Sequence, residues 1–404
     1  MDIIPGFEPG GGSSILSGPA NLVVVQWIEQ GPPKTQILVQ FWAARPTLNK
    51  IMPNPTCRLL SNGYRFENYQ GELVYKPCCH FNESQKLDAP AVEHRAFRDR
   101  LNVINSYESD SCNICNFQNN KKIRTTWRDR SFQIVPVYAK LGDASHLEIQ
   151  TDKTCNGGCI ICGPWHSSYW QNELKQFTKK PKEDPIDKIL SQIDIQKTKR
   201  ISFLGGEPFL TNTDTKVLSM IDHPKRVNLV YVTNGSIYPT DQRIKLWSQF
   251  EYVSICFSID AIGDRFDYIR YPLKWAQVEK NINRIINECP KNMFFKANYT
   301  VNPLNIYYHD EFTDWYDRTM GLGGARKFDF TPCDGILSPQ KLPKKLVDML
   351  VNKYGHDSKV MSPVVEKDCD DHSKLLLYLS ELDSRRGLDW RQVFPEISDC
   401  FPKV

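Results

Sequence analysis

The sequence lacks any long apolar run. No stretch reaches the roughly 18 apolar residues that a membrane-spanning helix requires. The first residues, MDIIPGFEPGGGSS, contain neither the basic region nor the continuous apolar segment of a secretion signal. We therefore expect a cytoplasmic protein that has no membrane partner.

An excess of charge of one sign is also absent. The 404 residues include 51 Lys and Arg against 47 Asp and Glu, which leaves a formal net charge of only +4. Such a balance supplies no bulk attraction to nucleic acid, so we expect no nucleic-acid partner. With 40% hydrophobic and 24% charged residues, the composition is that of a globular protein with room for two or three domains.

Cysteine, by contrast, is abundant. The chain has 13 cysteines, a high and odd number for a protein of a reducing compartment. An odd number does not fit a framework made only of disulfides, and cytosolic cysteines in such number favour metal binding or catalysis.

The middle of the chain alternates strand-like and helix-like segments. The strand candidates are HLEIQT, RISFLG, NLVYVTNG, YVSICFSID, FFKANYTVN and KFDFTP. Strands that alternate with helices predict a parallel sheet built from βαβ units. Six strands are fewer than the eight of a closed barrel, so the predicted fold class is α/β, a partial (β/α)6 barrel of the TIM type.

The flanking segments have different patterns. Residues 1–55 form an N-terminal arm and β segment, and residues 56–144 a small β-rich cysteine module, in which YRFENYQGELVY predicts two strands around Gly71. The partial barrel spans residues 145–335, and residues 336–404 form a helical C-terminal extension that includes KKLVDMLVNKYG and SKLLLYLSELDSRRG.

Three cysteines follow the first barrel strand in CNGGCIIC, with the spacing C-x3-C-x2-C. Three thiolates on one flexible loop can hold an iron–sulfur cluster and leave one iron without a protein ligand. An open position of this kind invites a substrate or cofactor, as in catalytic zinc sites. A structural zinc site with a borrowed fourth ligand, or coincidence in a cysteine-rich chain, remains an alternative.

Further motifs lie at the ends of the next strands: FLGGEPFL, VTNGS and FSID, followed by DRFDYIRYP. Together with the cysteine loop, in this order, they make the sequence similar to the radical S-adenosylmethionine (radical SAM) enzymes. The resemblance implies a 4Fe–4S cluster on Cys155, Cys159 and Cys162, with SAM bound at the open iron.

The resemblance also implies which residues contact SAM. They are Gly205, Gly206, Glu207 and Pro208 at the amino group, Thr233 and Asn234 at the nucleoside, Ser258 and Asp260 at the ribose or carboxylate, Arg270 at the carboxylate, and Asn298 on the wall of the same cavity. For Arg270, a solvent-exposed position on a helix is an equal alternative.

A second cysteine set precedes the barrel, with the frame C-x20-CC-x32-C-x2-C. It resembles an auxiliary-cluster module of the twitch or SPASM type. The resemblance implies a second, auxiliary 4Fe–4S cluster held by Cys57, Cys78, Cys112 and Cys115, with Cys79 in reserve for Cys78. Zinc, or no metal, remains open for this set.

The resemblance implies that SAM is cleaved reductively and that the resulting 5′-deoxyadenosyl radical abstracts a hydrogen atom. Enzymes of this group commonly act on ribosomally made precursor peptides and take electrons from a donor such as flavodoxin or ferredoxin. The expected reaction is L-to-D epimerisation of a peptide residue, with a cysteine as hydrogen donor.

Cys333, just beyond the sixth strand, is the first candidate for that donor, and Cys256, Cys369 and Cys400 remain open. Alternative functions are peptide crosslinking through a thioether or carbon–carbon bond, modification of a small molecule or nucleotide, and non-enzymatic zinc binding.

Overall fold

A computed structural model describes most of the chain from residue 57 onward. The described residues are 57–69, 71–79, 81–87, 89, 94–99, 112, 131, 134–135, 139–140, 143–150, 152–177, 185–321, 328–364 and 372–402. The predicted N-terminal arm and β segment at 1–55, together with Cys115 and Cys369, lie outside these residues.

The described strands form one nine-stranded sheet. They are β1 (Gly63–Tyr69), β2 (Glu72–Lys76), β3 (Gln85–Lys86), β4 (His146–Gln150), β5 (Arg200–Phe203), β6 (Asn228–Thr233), β7 (Tyr252–Ser258), β8 (Met293–Val301) and β9 (Asp329–Pro332). Their order is β3-β2-β1-β4-β5-β6-β7-β8-β9. Strands β4 to β9 are parallel neighbours, which confirms the predicted six-stranded partial barrel and its α/β class.

The described helices connect these strands and build the C-terminal extension. They are α1 (Arg58–Asn62), α2 (Ser168–Leu174), α3 (Pro185–Leu190), α4 (Thr213–Leu218), α5 (Asp241–Trp247), α6 (Gly263–Ile269), α7 (Trp275–Glu288), α8 (His309–Thr319), α9 (Lys344–Tyr354), α10 (Ser373–Arg386), α11 (Trp390–Val393) and α12 (Pro395–Ser398). Helices α9 and α10 confirm the two predicted helical runs of the extension. No helix within the described ranges has the length and apolar character needed to cross a membrane.

Alternation along the strands separates an apolar face from a polar one. On β4, Leu147 and Ile149 belong to the main hydrophobic core, whereas Glu148 between them points to the opposite face. On that opposite face, Val230 of β6 and Cys256 of β7 form a separate small apolar cluster. The main core therefore lies between the sheet and its helices, and polar side chains line the barrel interior.

The predicted hairpin is present as β1 and β2, with Gly71 at a φ of 86° in the turn. Strand β1 also pairs in parallel with β4, so the hairpin extends the barrel sheet. Across this joint, Arg65 donates to Glu148 at 3.2 Å and also pairs with Glu67. Burial alone raises the pKa of Glu67, but Arg65 and Lys76 hold it at about 2.

Candidate functional site

The three cysteines lie on the loop between β4 and α2, at the carboxyl end of the first barrel strand. Two of the thiols converge on Gly157. A Cβ added to Gly157 would lie 3.3 Å from the sulfur of Cys159 and 3.7 Å from the sulfur of Cys155. A side chain at this position would therefore occupy the space that the two sulfurs face.

The GGEP segment binds the N-terminal part of the cysteine loop, residues 152–155, which we call its first limb. The amide of Gly206 donates to the carbonyl of Asp152 at 3.1 Å, and the amide of Glu207 donates to that of Thr154 at 2.7 Å. A Cβ on Gly206 would lie 2.1 Å from the Thr154 carbonyl oxygen, so only glycine permits this approach. Gly205 has a φ of +119°, a conformation that also favours glycine. The segment thus positions the cysteine loop.

The second limb of the loop, residues 158–160, is bound on its other side by the residues at the end of α6. The amide of Gly158 donates to the carbonyl of Tyr271 at 2.6 Å, and that of Ile160 donates to Ile269 at 2.9 Å. The indole N–H of Trp170 donates to the carbonyl of Cys159 at 3.0 Å. Both limbs of the loop are therefore fixed by backbone hydrogen bonds to neighbouring strand ends and helices.

Burial and mutual proximity keep the three thiols protonated. Burial is the main cause that raises the pKa of Cys155, Cys159 and Cys162, to about 12 for Cys162. The negative charge of Cys159 adds to the rise for the other two. Thiols with raised pKa values lose their protons when a cationic group compensates their charge, which is the chemistry of a metal or cluster site.

Glu207 is buried beside the loop and accepts three hydrogen bonds. Its Oε1 accepts from the Phe209 amide at 3.1 Å and from the Thr233 hydroxyl at 2.7 Å, and its Oε2 accepts from the Asn234 amide at 2.7 Å. Burial nevertheless raises the pKa of Glu207 to about 7. A carboxylate offers about four acceptor positions, so one remains for a further donor.

Asn234 also ties the VTNGS turn to the cysteine loop. Its Nδ2 donates to Oδ1 of Asn156 at 3.0 Å, and Nδ2 of Asn156 donates to the hydroxyl of Ser236 at 2.9 Å. The residues predicted to contact the nucleoside, Thr233 and Asn234, therefore lie directly beside Glu207 and the loop.

Asp260 and Arg270 form a buried pair next to Cys159. The Arg270 Nε donates to Asp260 Oδ2 at 2.8 Å, and its Nη1 lies 3.9 Å from the sulfur of Cys159. Asp260 Oδ1 also accepts from the Thr300 amide at 2.8 Å. Arg270 is only 5% exposed, so it is not the solvent-facing helix residue that its segment also allowed.

Ser258 and Asn298 lie on the barrel interior as neighbours in register, and Asn298 is in register with Asp329 on the next strand. Both Ser258 and Asn298 are buried. Close to them, Lys296 donates to Asp329 at 2.7 Å, a pair that the sequence analysis did not identify. Lys296 and Asn298 are two residues apart on β8, so the alternation of the strand predicts that both side chains lie on the same face.

The remaining cysteines differ in position. Cys333 directly follows β9, and its amide donates to the Val301 carbonyl at 2.8 Å. The charges of Asp260 and Arg270 act on its thiol, although burial is the main cause that raises its pKa well above the ordinary value. Cys400 instead contacts the sulfur of Met349 at 3.3 Å, within the C-terminal extension. Of these two thiols, that of Cys333 is acted on by the charges of Asp260 and Arg270, and that of Cys400 by those of Lys345 and Asp399.

The second cysteine set lies at the start of α1 and the end of β2. Cys57, Cys78, Cys79 and Cys112 are all buried in the main core. A Cβ on Gly63 would lie 2.2 Å from the Pro77 carbonyl oxygen, which shows how closely the two ends pack. Among the described residues, neither this set nor the three cysteines of the barrel loop are grouped closely enough to hold one metal ion as they stand.

The C-terminal extension contacts the cysteine loop, a contribution that no sequence motif predicts. The hydroxyl of Tyr378 on α10 donates to the carbonyl of Ile160 in the cysteine loop at 2.7 Å. Arg386, at the end of the same helix, pairs with Glu173 of α2. These contacts join residues more than 200 positions apart, so no local sequence pattern predicts them.

Comparison with known proteins places the central part of the chain in a family. Residues 149–309 match the model of the Radical SAM superfamily, a span that includes the cysteine loop, GGEP, VTNGS, Asp260, Arg270 and Asn298. No curated protein matches this chain.

Solved structures match at low identity. One is anSMEcpe with bound AdoMet, which is 16% identical over 50% of this chain with a TM-score of 0.35. The chain covers 54% of anSMEcpe, about half of its length. Another is Streptococcus suis SuiB bound to S-adenosylmethionine, which is 12% identical over 80% of this chain and 76% of its own, with a TM-score of 0.34. On the family match, the chain carries a Radical SAM superfamily domain at residues 149–309.

Proposed function

We propose that this radical SAM enzyme converts an L residue of a ribosomally made precursor peptide into its D form, with Cys333 as the hydrogen donor. The observation that carries the proposal is the position of Cys333 directly after β9, where the charges of Asp260 and Arg270 act on its thiol, while Arg270 lies 3.9 Å from the sulfur of Cys159. A thiol at this position lies on the same side of the barrel as the three-cysteine loop.

The residues fit a 4Fe–4S cluster and SAM. Cys155, Cys159 and Cys162 supply three thiols, that of Cys159 buried and the other two half-buried, which a cationic cluster would convert to thiolates. Glu207 retains one acceptor position for the amino group of SAM. When bound, the cluster supplies the electron that cleaves SAM to methionine and a 5′-deoxyadenosyl radical.

Burial gives Cys333 the form that a hydrogen donor needs. Because the pKa of its thiol is raised well above the ordinary value, the sulfur keeps its hydrogen at neutral pH. The 5′-deoxyadenosyl radical would take the α-hydrogen from one face of the peptide residue and become 5′-deoxyadenosine, and Cys333 would return a hydrogen atom to the other face of the carbon radical. The thiyl radical that remains on Cys333 would then take up one electron from a donor such as flavodoxin or ferredoxin and one proton from solvent.

We further propose that the second cysteine set holds an auxiliary 4Fe–4S cluster. Cys57, Cys78 and Cys112 are buried in the same core, with Cys79 adjacent. Cys115, the fourth ligand in this proposal, lies outside the described residues. Four cysteine ligands favour electron transfer or structure over direct binding of substrate.

The first experiment reconstitutes the full chain anaerobically with iron and sulfide, and then follows 5′-deoxyadenosine after SAM and dithionite are added. About eight irons with product formation support two clusters and radical SAM chemistry. About four irons with product formation restrict the cluster to the barrel. Zinc without 5′-deoxyadenosine rejects the proposed function.

The second experiment offers candidate peptides in D2O and compares C333A with C400A as a matched thiol control. Epimerisation by an exchangeable thiol predicts a mass gain of about one unit per event in the wild type and in C400A. C333A should still form 5′-deoxyadenosine but incorporate no deuterium. Deuterium incorporation by C333A at the wild-type level would exclude Cys333 as donor. A product lighter by two hydrogens would instead identify crosslinking.

A further inference from the structure

The C-terminal helix α10 reaches the cysteine loop at two points. Tyr378 binds the carbonyl of Ile160, and Arg386 lies two turns further along the same helix. The Arg386 side chain is only 1% exposed, although the helix around it is on the surface and the adjacent Arg385 is exposed. Burial of a charged guanidinium is unfavourable unless neighbouring groups compensate its charge and accept its hydrogen bonds.

Three groups fix the guanidinium of Arg386. Its Nε and Nη2 donate to the two carboxylate oxygens of Glu173 at 2.9 and 2.8 Å. Its central carbon lies 4.6 Å from the ring centroid of Trp170 and 4.8 Å from that of Tyr271. These contacts leave the plane of the group little freedom.

One nitrogen of the guanidinium forms no hydrogen bond. This atom, Nη1 of Arg386, is buried and has no hydrogen-bond partner among the residues that the structure describes. A buried N–H donor without a partner is unfavourable, and it points to a ligand that the protein alone does not supply.

The guanidinium of Arg386 lies beside the cysteine loop. A Cβ on Gly158, between the first and second cysteines of the loop, would lie 3.1 Å from Nη2 of Arg386. Gly158 directly precedes Cys159, whose sulfur lies 3.9 Å from Nη1 of Arg270. Two arginines therefore place positive charge next to Cys159, one from the barrel and one from the extension.

We propose that Arg386 is a positioning residue that sets the reduction potential of the cluster on Cys155, Cys159 and Cys162, an inference that rests on the proposed function. The reduced cluster carries one more negative charge than the oxidised one, and nearby positive charge and N–H donors stabilise it. The C-terminal extension thereby makes the one-electron reduction by dithionite or flavodoxin easier.

The test compares full-length wild type with R386Q and R386K, and uses R385Q as the matched control that removes an exposed charge one residue away. Each protein is reconstituted, and its reduction is followed by EPR at controlled potentials with dithionite. The C155A/C159A/C162A variant identifies any signal that does not come from the barrel loop.

We expect the ratio of reduced to oxidised cluster in R386Q to fall about tenfold at fixed potential, which corresponds to about 59 mV for one electron. R386K keeps the charge but loses the planar guanidinium, so its ratio of reduced to oxidised cluster should lie between those of R386Q and the wild type. R385Q should have the wild-type ratio. If R386Q retains no iron, a lower reduced fraction in R386K supports the proposal.

Wild-type potentials in every Arg386 variant that retains its iron would overturn the role of Arg386. Equal shifts in R385Q and R386Q would also overturn it, because they would show only a general effect of charge. A wild-type chain that binds no cluster would instead reject the proposed function.

Discussion

The two cysteine sets of this chain differ in what surrounds them. The barrel loop is fixed on both limbs by backbone hydrogen bonds, and Arg270 and Arg386 place positive charge next to Cys159. Four cysteines of the N-terminal set lie in the main core, which also contains Cys159, and Cys79 acts electrostatically on Arg65 of β1. Charge beside a cluster adjusts its potential, whereas apolar burial protects it from solvent. We therefore propose that the radical chemistry belongs to the barrel loop and that the other set has a supporting role.

The largest expected effect separates the two sets directly. C155A/C159A/C162A should lose about four irons and all 5′-deoxyadenosine formation, because no thiolate remains to hold the SAM-binding cluster. C57A/C112A should also lose about four irons but retain SAM cleavage with dithionite as the reductant. Iron analysis and chromatography of the nucleoside products measure both. Loss of SAM cleavage in a folded C57A/C112A would contradict the division of roles.

The second prediction concerns Glu207, which lies beside the barrel set. Burial raises its pKa to about 7, so the free protein carries a proton on Glu207 below that pH. The amino group of SAM needs an ionised acceptor, so SAM affinity should rise with pH up to about 7 and then level off. Each pH unit below the pKa costs up to about tenfold in affinity.

E207Q should bind SAM at least tenfold more weakly at pH 8, since a hydrogen bond to a charged group contributes about 1.5–3 kcal/mol. The part of the pH dependence that belongs to Glu207 should also vanish. Calorimetry between pH 6 and 8 on reconstituted protein measures affinity and proton release together. A wild-type pH profile in E207Q would show that another group titrates on binding.

Much of the barrel could be predicted from sequence because its signals are local. Each parallel strand is a short apolar run, and the polar residue types stand directly after it, as in FLGGEPFL and VTNGS. The contacts of Tyr378 and Arg386 could not be predicted in this way, because α10 is joined to the loop only by the tertiary fold. The partners of Asp260 were also hidden, since FSID alone does not show that Arg270 and the Thr300 amide occupy its carboxylate.

A third prediction uses two glycines to disturb one set at a time. A Cβ on Gly206 would lie 2.1 Å from the Thr154 carbonyl oxygen beside the barrel loop, and one on Gly63 would lie 2.2 Å from that of Pro77 beside Cys78. Both G206A and G63A should destabilise the fold by about 1–3 kcal/mol through overpacking. Only G206A should weaken SAM binding in the folded protein. Denaturant unfolding and SAM titration distinguish the two, and equal losses of SAM affinity would show that the sets are coupled.

The smallest expected effect tests the hydrogen bonds that hold Glu207 in place. Thr233 donates from its hydroxyl to Glu207 Oε1 at 2.7 Å, and this bond favours the ionised carboxylate. T233V removes the donor and keeps the shape of the side chain, so the pKa of Glu207 should rise further and the pH at which SAM affinity levels off should move upward. The matched variant T300V changes a buried hydroxyl on the barrel interior that accepts and donates no hydrogen bond among the described residues, so it should leave that pH unchanged. A shift in T233V alone would show that the barrel site is tuned by individual hydrogen bonds.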